Sequence, residues 1–382
     1  MKDIDIFLHE LQEYMPDANI WYAEIQGLYR GVEERIVPIT HSIIEFFNRH
    51  ENEDFWSNET IDEILEVFEN VISKSKNAHQ LLTPSDVAQI LSGLPENREI
   101  HKVYDPFCRS GNLLNMANGH GDLGIGEAPD AFSVRFAKTR FFLLQKLNVS
   151  IDQKPVVGLR GAEPTEKFDL ILTNPPFGKN PPDTHNGFGY YSSKYKSNDL
   201  ALSFFTHALD SLSDSGLLGI VTPAGMLSNS GIYVDLRKEL IEKNMLEAVL
   251  ILPQKIFYGT GVSTSIWVVN KQKKQDKILL INLSEKGRKS KERYELPQSV
   301  IQQVSVELSD FRSGLLTEKD HLMVVNPGEL DENLNLSFDY NFNKRFQRQI
   351  EYASSVELIQ KCSDIQSKVS AIQKEISSLV EK

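Results

Sequence analysis

The sequence predicts an α/β fold: a doubly wound sheet, preceded by a small helical domain and followed by a coiled-coil helix. Three observations carry that prediction. Short apolar runs alternate with helix-period stretches between about residues 79 and 335. Runs such as Phe168-Asp169-Leu170-Ile171-Leu172 are nearly unbroken in apolar character, which marks strands buried on both faces. Two of these runs end at proline corners, Asp105-Pro106 and Asn174-Pro175-Pro176, so the chain must leave the sheet there.

Composition sets the outer limits. With 382 residues, 40% hydrophobic and 25% charged, the chain has the make-up of a soluble globular protein with room for several domains. No apolar run reaches membrane-spanning length, and Met1-Lys2-Asp3-Ile4-Asp5 does not open a signal peptide, so a cytoplasmic location is expected. Its 2 cysteines, Cys108 and Cys362, form neither a disulfide framework nor a metal-ligand cluster. A net charge of −12 opposes strong autonomous binding to a polyanion. If the substrate is DNA, another chain must supply most of the phosphate contacts.

Residues 1–78 read as helical. Ile61, Ile64, Leu65, Phe68, Val71 and Ile72 recur at helix spacing behind a cap at Ser57 or Asn58, and Trp21 to Tyr29 suggests a second helix. Thr83 as N-cap, Pro84 at the first helical position and Asp86 at the third start a helix with Val87, Ile90 and Leu91 inward. Lys102-Val103-Tyr104-Asp105 then forms a strand that turns through Pro106 to Gly111 into a helix at Asn112. Such a turn lets backbone amides approach a ligand, but with one glycine it leaves cofactor binding and plain packing equally open. The second strand, Leu123 to Glu127, ends in an acid placed to accept from ribose hydroxyls. A helix over 131–147 and a third strand over 155–159 follow.

After the second proline corner, 179–198 is a long loop rich in Gly, Asn, Pro, Tyr and Ser. Its Tyr190, Tyr191, Lys194 and Lys196 suit base stacking and phosphate contact, or equally a solvated loop. A helix over 199–212 turns Phe204, Phe205, Ala208 and Leu209 inward, and a strand over 217–221 follows. Next come a helix over 236–241 and strands over 246–252, 265–270 and 278–282. Lys271, Lys273, Lys274, Lys277, Lys286, Arg288, Lys289, Lys291 and Arg293 make one basic zone, read as a solvated face before a nucleic-acid contact. In the tail, Leu358, Cys362, Ile365, Val369, Ile372, Ile376 and Leu379 are spaced alternately by four and three, a heptad seam that needs a partner helix.

The most informative stretch is Asn174-Pro175-Pro176-Phe177, at the carboxyl end of a buried strand. Open α/β sheets bind their ligands at that edge. An exocyclic amine is a poor nucleophile because its lone pair is delocalised into the ring. Two acceptors holding its hydrogens push the nitrogen toward tetrahedral geometry and stabilise the charge that grows as it attacks. The Asn174 side-chain oxygen and the Pro175 carbonyl are candidates for those acceptors, and Phe177 for the ring on which a swung-out base stacks. The bland alternative is a proline-stiffened turn with a core phenylalanine.

Gln80-Leu81-Leu82-Thr83-Pro84, Asp105-Pro106-Phe107-Cys108-Arg109-Ser110-Gly111, Glu127 and Asn174-Pro175-Pro176-Phe177 occur in the order used by the N6-adenine DNA methyltransferases. From about residue 79 to 283 the chain most resembles the modification subunit of type I restriction-modification systems, Ile220 to Leu227 and Ile251-Leu252-Pro253 included. The resemblance implies a Rossmann-like methyltransferase domain over 79–335, between a helical domain at 1–78 and an assembly tail at 336–382. It implies S-adenosylmethionine as methyl donor and adenine in duplex DNA as acceptor. Asn174, Pro175, Pro176 and Phe177 become the catalytic residues; Gln80, Thr83, Pro84, Asp105, Cys108, Ser110, Gly111, Asn112 and Glu127 become cofactor-binding residues. The implied partners are a DNA-specificity subunit docked through the C-terminal helix, a second copy of the chain and a restriction nuclease subunit.

The sequence departs from the family pattern at three places. Arg109 stands where a glycine is common, Leu81-Leu82 replaces an aromatic pair, and Gly158-Leu159-Arg160 offers no acid after the expected third strand. These departures define the alternative: a methylase-like subunit with weak or no activity, kept as a DNA clamp or assembly partner. A protein-glutamine methylase, which uses a similar turn ending in tyrosine, is a further reading.

Overall fold

The computed structural model describes residues 82–129, 148–154, 166–179 and 190–347 apart from 259 and 292, with isolated positions between 133 and 146 and between 359 and 372. The expected N-terminal helical domain, Gln80, and the stretch 155–160 lie outside these residues.

Chain order sets out the frame. Helix α1 (Ser85–Ser92) leads into β1 (Lys102–Asp105), α2 (Asn112–Ala117), β2 (Leu123–Ala128), β3 (Val149–Gln153) and β4 (Phe168–Thr173). Short α3 (Tyr190–Lys194) and α4 (Leu200–Ser211) precede β5 (Leu212–Pro223), α5 (Ile232–Glu242) and β6 (Leu246–Ile251). Strands β7 (Thr264–Asn270) and β8 (Ile278–Asn282), a small β9–β10 ribbon (Arg288–Lys289, Tyr294–Glu295), α6 (Gln298–Ser313), β11 (Leu322–Val325) and α7 (Phe338–Gln347) complete it. Among the described residues, nine strands form one sheet in the order β11-β8-β6-β7-β5-β4-β1-β2-β3. Strands β1 to β5 pair in parallel, whereas β7 runs antiparallel to both its neighbours, β5 and β6.

Alternate residues of the central strands feed two cores, one on each face. Leu170 and Leu172 join Val103, Leu217 and Val221 in one cluster, while Ile171 joins Tyr104, Leu218, Ile220 and Trp267 in the other. That is why these strands are apolar without alternation. The helices lie close: a Cβ on Gly126 of β2 would sit 2.8 Å from both Cys108 Sγ and Leu114 Cδ2. A larger residue there would force the Ile151, Cys108 and Leu114 side chains to shift.

The third strand is Val149–Gln153, upstream of the expected stretch. Sequence reading passed over it because only Ile151 is buried, so it lacks an apolar run. Its register sets Asp152 opposite Glu127, so this strand does carry an acid beside β2.

The basic zone also divides. Arg293 is buried and pairs with Asp86 of α1 at 2.9 Å, and Asp86 also accepts from the Leu296 amide. Asp86 therefore ties α1 to the chain after β10, and Arg293 belongs to the interior. Lys271 is half-buried and donates to the Leu212 carbonyl at 2.9 Å. Lys274, Lys277, Arg288, Lys289 and Lys291 remain exposed. Among the described residues, no helix is long and apolar enough to cross a membrane.

Candidate active site

Strand β1 has β2 on one side and β4 on the other, so the crossovers leave it in opposite directions. The carboxyl ends of β1 and β4 consequently open a crevice at the switch point of the sheet, the place where such folds bind ligands. Asp105 to Gly111 leaves one side of it and Asn174 to Phe177 the other. Both sequence motifs thus converge on one edge although they lie far apart in the chain.

Asn174 follows directly on β4 and is 3% exposed. Its amide nitrogen donates to the Thr83 hydroxyl at 3.2 Å. With the nitrogen committed to Thr83, the amide oxygen becomes the atom left to accept from a ligand. Among the described residues, no hydrogen bond ends on that oxygen or on the Pro175 carbonyl. Pro176 and Phe177 are half-buried, and the Phe177 ring packs against the margins of both cores. The ring is therefore braced from behind without being swallowed. Gly178 leaves the corner at φ 120°, a conformation that favours glycine, and its carbonyl accepts from the Leu200 amide.

Thr83 does not cap α1. The N-cap is Pro84, without a side-chain hydrogen bond, and the Thr83 hydroxyl serves Asn174 instead. Its carbonyl accepts from the Asn112 side chain at 2.8 Å, and the Leu82 carbonyl accepts a long 3.5 Å bond from Arg109. The segment 82–84 thereby ties the turn after β1 to the corner after β4. Sequence reading assigned Thr83 to a local cap because its true partner lies 91 residues away.

The turn after β1 keeps its shape around Arg109. Arg109 adopts the left-handed conformation at φ 50°, as does Gly111 at φ 77°. A non-glycine residue in that region is held at a cost of about 1–2 kcal/mol. The turn is closed by the Gly111 amide on the Cys108 carbonyl, and the Cys108 amide donates to the Glu127 carbonyl at 2.8 Å. Asp105 is buried at the base of the turn, where it accepts from the Phe107 amide at 3.0 Å. Burial pushes the Asp105 carboxyl up to about 7, against the opposing pull of the Phe107 amide and Arg109. Ser110 is also buried, and its hydroxyl has no partner among the described residues.

Glu127 is the penultimate residue of β2, which runs one residue past the end expected from the sequence, and its side chain is buried. Lys154, just after β3, donates to its Oε1 at 2.5 Å. Glu127, the glycine turn and the Asn174 corner therefore meet at the carboxyl ends of neighbouring strands. This donor set fits a ligand carrying a ribose diol at one end and an ionised polar group at the other.

The tyrosines of the following loop do not join the site. Tyr191 and Ser192 donate their amides to Asp210, in the last turn of α4, which places α3 near the amino-terminal edge of the sheet. Tyr191 and Tyr195 are buried; Lys194 pairs with Glu239 at 2.7 Å, and Lys243 reaches the same carboxylate at 2.5 Å. Tyr190 is 56% exposed, and the Lys243 ammonium lies 4.7 Å from its ring centroid. These tyrosines form a packed cluster with α5 in place of a base-stacking platform.

In the tail, the described positions 362–369 and 372 are helical. Cys362, Ile365, Val369 and Ile372 of the seam are exposed on it.

Comparison with known proteins agrees with this geometry. Residues 57–348 match the N-6 DNA Methylase family model. A type I restriction enzyme methylase subunit (MjaVIII) of Methanocaldococcus jannaschii is 24% identical over 54% of this chain and 39% of its own length. The EcoKI methylase subunit of Escherichia coli is 25% identical over 54% of this chain and 44% of its own length. The chain thus spans less than half of either relative. Among solved structures, the methyltransferase subunit of a type I restriction-modification system from Streptococcus thermophilus superposes with a TM-score of 0.62 at 20% identity, covering 75% of this chain and 64% of that one. That likeness establishes the fold.

Proposed function

Because the chain belongs to the N-6 DNA methylase family, we propose that it transfers a methyl group to N6 of adenine in duplex DNA, as the modification subunit of a type I restriction-modification system. The single observation that carries this reading is the corner after β4. There, Thr83 turns the Asn174 amide so that its oxygen and the Pro175 carbonyl are the acceptors on offer.

The division of labour follows from the residues. Adenine's amino group is only a donor. Asn174 Oδ1 and the Pro175 carbonyl would accept hydrogen bonds from its two N–H groups, which draws the nitrogen lone pair out of conjugation. One of the two protons is lost to solvent after the methyl group is gained. As the nitrogen gains positive charge, these dipoles stabilise it without reorganising. Phe177 stacks on a base extruded from the duplex, holding it edge-on to the acceptors. S-adenosylmethionine, when bound, supplies the methyl group. Glu127 would hold its ribose hydroxyls, and the Asp105–Asn112 turn with Thr83 and Pro84 would enclose its amino-acid end; Gln80 and Cys108 belong to the same proposed set.

Partners enter on charge and exposure. A chain of net charge −12 needs a basic companion on DNA, and the exposed seam around Ile365 and Ile372 suits a helix of a specificity subunit. A second copy of the chain and a nuclease subunit are part of the same proposal, as is the division at residues 78 and 335 into helical, catalytic and assembly parts. The test is nucleoside mass analysis of DNA from cells expressing the chain with its specificity partner. N6-methyldeoxyadenosine above background is the expected result. Unmethylated DNA, with a donor-binding complex assembled, would reject the reading.

A further inference from the structure

The mechanism above leaves one buried cation without a task. Arg109 is 3% exposed, yet among the described residues its guanidinium makes a single 3.5 Å hydrogen bond, to the Leu82 carbonyl, and its Nε has no partner. The guanidinium also lies over the Phe107 ring, whose centroid is 4.7 Å from Cζ, and it interacts electrostatically with Asp105 without a hydrogen bond to it. A guanidinium carries five donors in a fixed fork, so this one is far short of its capacity. A buried charge in that condition is costly unless an anion completes it.

Neighbouring acids do not complete it. Asp105 is turned to the Phe107 amide, and Glu127 is held by Lys154. Neither forms an ion pair with Arg109 among the described residues. The arginine is nonetheless held firmly, in a left-handed backbone conformation at φ 50° that most side chains avoid. Among the described residues no anion completes this fork, which leaves it open to one carried by a ligand.

We infer that Arg109 anchors the α-carboxylate of the methyl donor, with Nε and one Nη forming a two-pronged pair and the long bond to Leu82 giving way. The inference rests on the donor reading above. Of the donor's groups only that carboxylate is an anion; the sulfonium, the ammonium and the adenosine are not. This fixes the ligand's direction in the crevice, carboxylate at Arg109 beside Leu82 and ribose at Glu127. An arginine in place of a small turn residue then becomes a specificity device for donors that carry the carboxylate.

Titration calorimetry on the full chain tests this with two ligands, S-adenosylmethionine and its decarboxylated form, which differ in that one group. The wild-type chain should bind S-adenosylmethionine about thirtyfold more tightly, the difference expected for a buried charge pair against its truncated partner. Arg109→Ala and Arg109→Gly should bring the two ligands within about threefold by weakening only S-adenosylmethionine. Arg109→Lys should retain part of the preference. Glycine adopts φ 50° freely, so that variant keeps the turn. Equal binding of both ligands by the wild type, tighter S-adenosylmethionine binding by Arg109→Gly, or loss of both ligands together in the variants would overturn the inference. Failure of the wild type to bind either ligand would instead remove the donor site itself, and the inference with it.

Discussion

The hydroxyl of Thr83 offers the sharpest handle on how the site works. Replacing it with valine keeps the shape of the side chain and removes the acceptor that holds the Asn174 amide nitrogen at 3.2 Å. Both residues are buried, so water cannot readily take the hydroxyl's place. Without that anchor the amide has no reason to prefer oxygen-inward over nitrogen-inward, and a nitrogen-inward amide would oppose the amino group of the proposed adenine substrate donor to donor. The orientation energy at stake is that of one buried hydrogen bond, about 1–1.5 kcal/mol. Carried into the transition state, this predicts about a tenfold fall in kcat for Thr83→Val, with KM for DNA unchanged. Thr83→Ser, which keeps the hydroxyl, should recover most of the loss. The bond from Asn112 to the Thr83 carbonyl is untouched by either change, so donor affinity should hold. Methyl incorporation from radiolabelled S-adenosylmethionine, measured with the specificity partner present, gives both constants. A Thr83→Val enzyme with kcat within twofold of the wild type would refute the reasoning.

Two further outcomes follow from groups outside the site. Burial alone would raise the Glu239 carboxyl, but hydrogen bonds from Lys194, Lys243 and Tyr195 outweigh it and hold it at about 2. A carboxylate with a depressed folded-state pKa contributes stability above its ordinary value of 4.5, and that contribution is lost as pH falls toward about 2. Glu239→Gln should therefore lower the melting temperature at neutral pH and narrow the gap from the wild type in acid; a gap independent of pH would contradict this. In the tail, Ile365→Asp with Ile372→Asp places charge on the exposed seam and should abolish co-purification of the specificity subunit while the melting temperature shifts little. Retained co-purification would assign docking elsewhere.

Much of this molecule was legible from its sequence because the decisive signals were local. The run from Phe168 to Thr173 needed only its own residues to read as a buried strand, and the prolines after it fixed where the chain leaves the sheet. Likewise Asp199 could be read at the start of a helix, where its carboxylate indeed accepts from the Leu202 amide. What escaped was set by distance. Thr83 has every local feature of a cap, yet a side chain 91 residues away takes its hydroxyl. Arg293 looks like one more solvated cation until Asp86, 207 residues earlier, is seen beside it. Strand Val149–Gln153 hid because an edge strand buries few of its side chains and so needs no apolar run. Arg109 was conspicuous as a departure from a small-residue turn, but only its φ of 50° shows that the turn survives the substitution.

The proposed methyl transfer turns on the Asn174 side-chain oxygen. Single-turnover methyl transfer to duplex DNA by Asn174→Ala, beside calorimetric titration of the same complex with S-adenosylmethionine, tests it most directly. Transfer should fall by about a thousandfold, the scale of losing a preorganised dipole at a developing charge, while donor binding and subunit assembly are kept. Undiminished labelling of adenine by that variant would contradict the assignment.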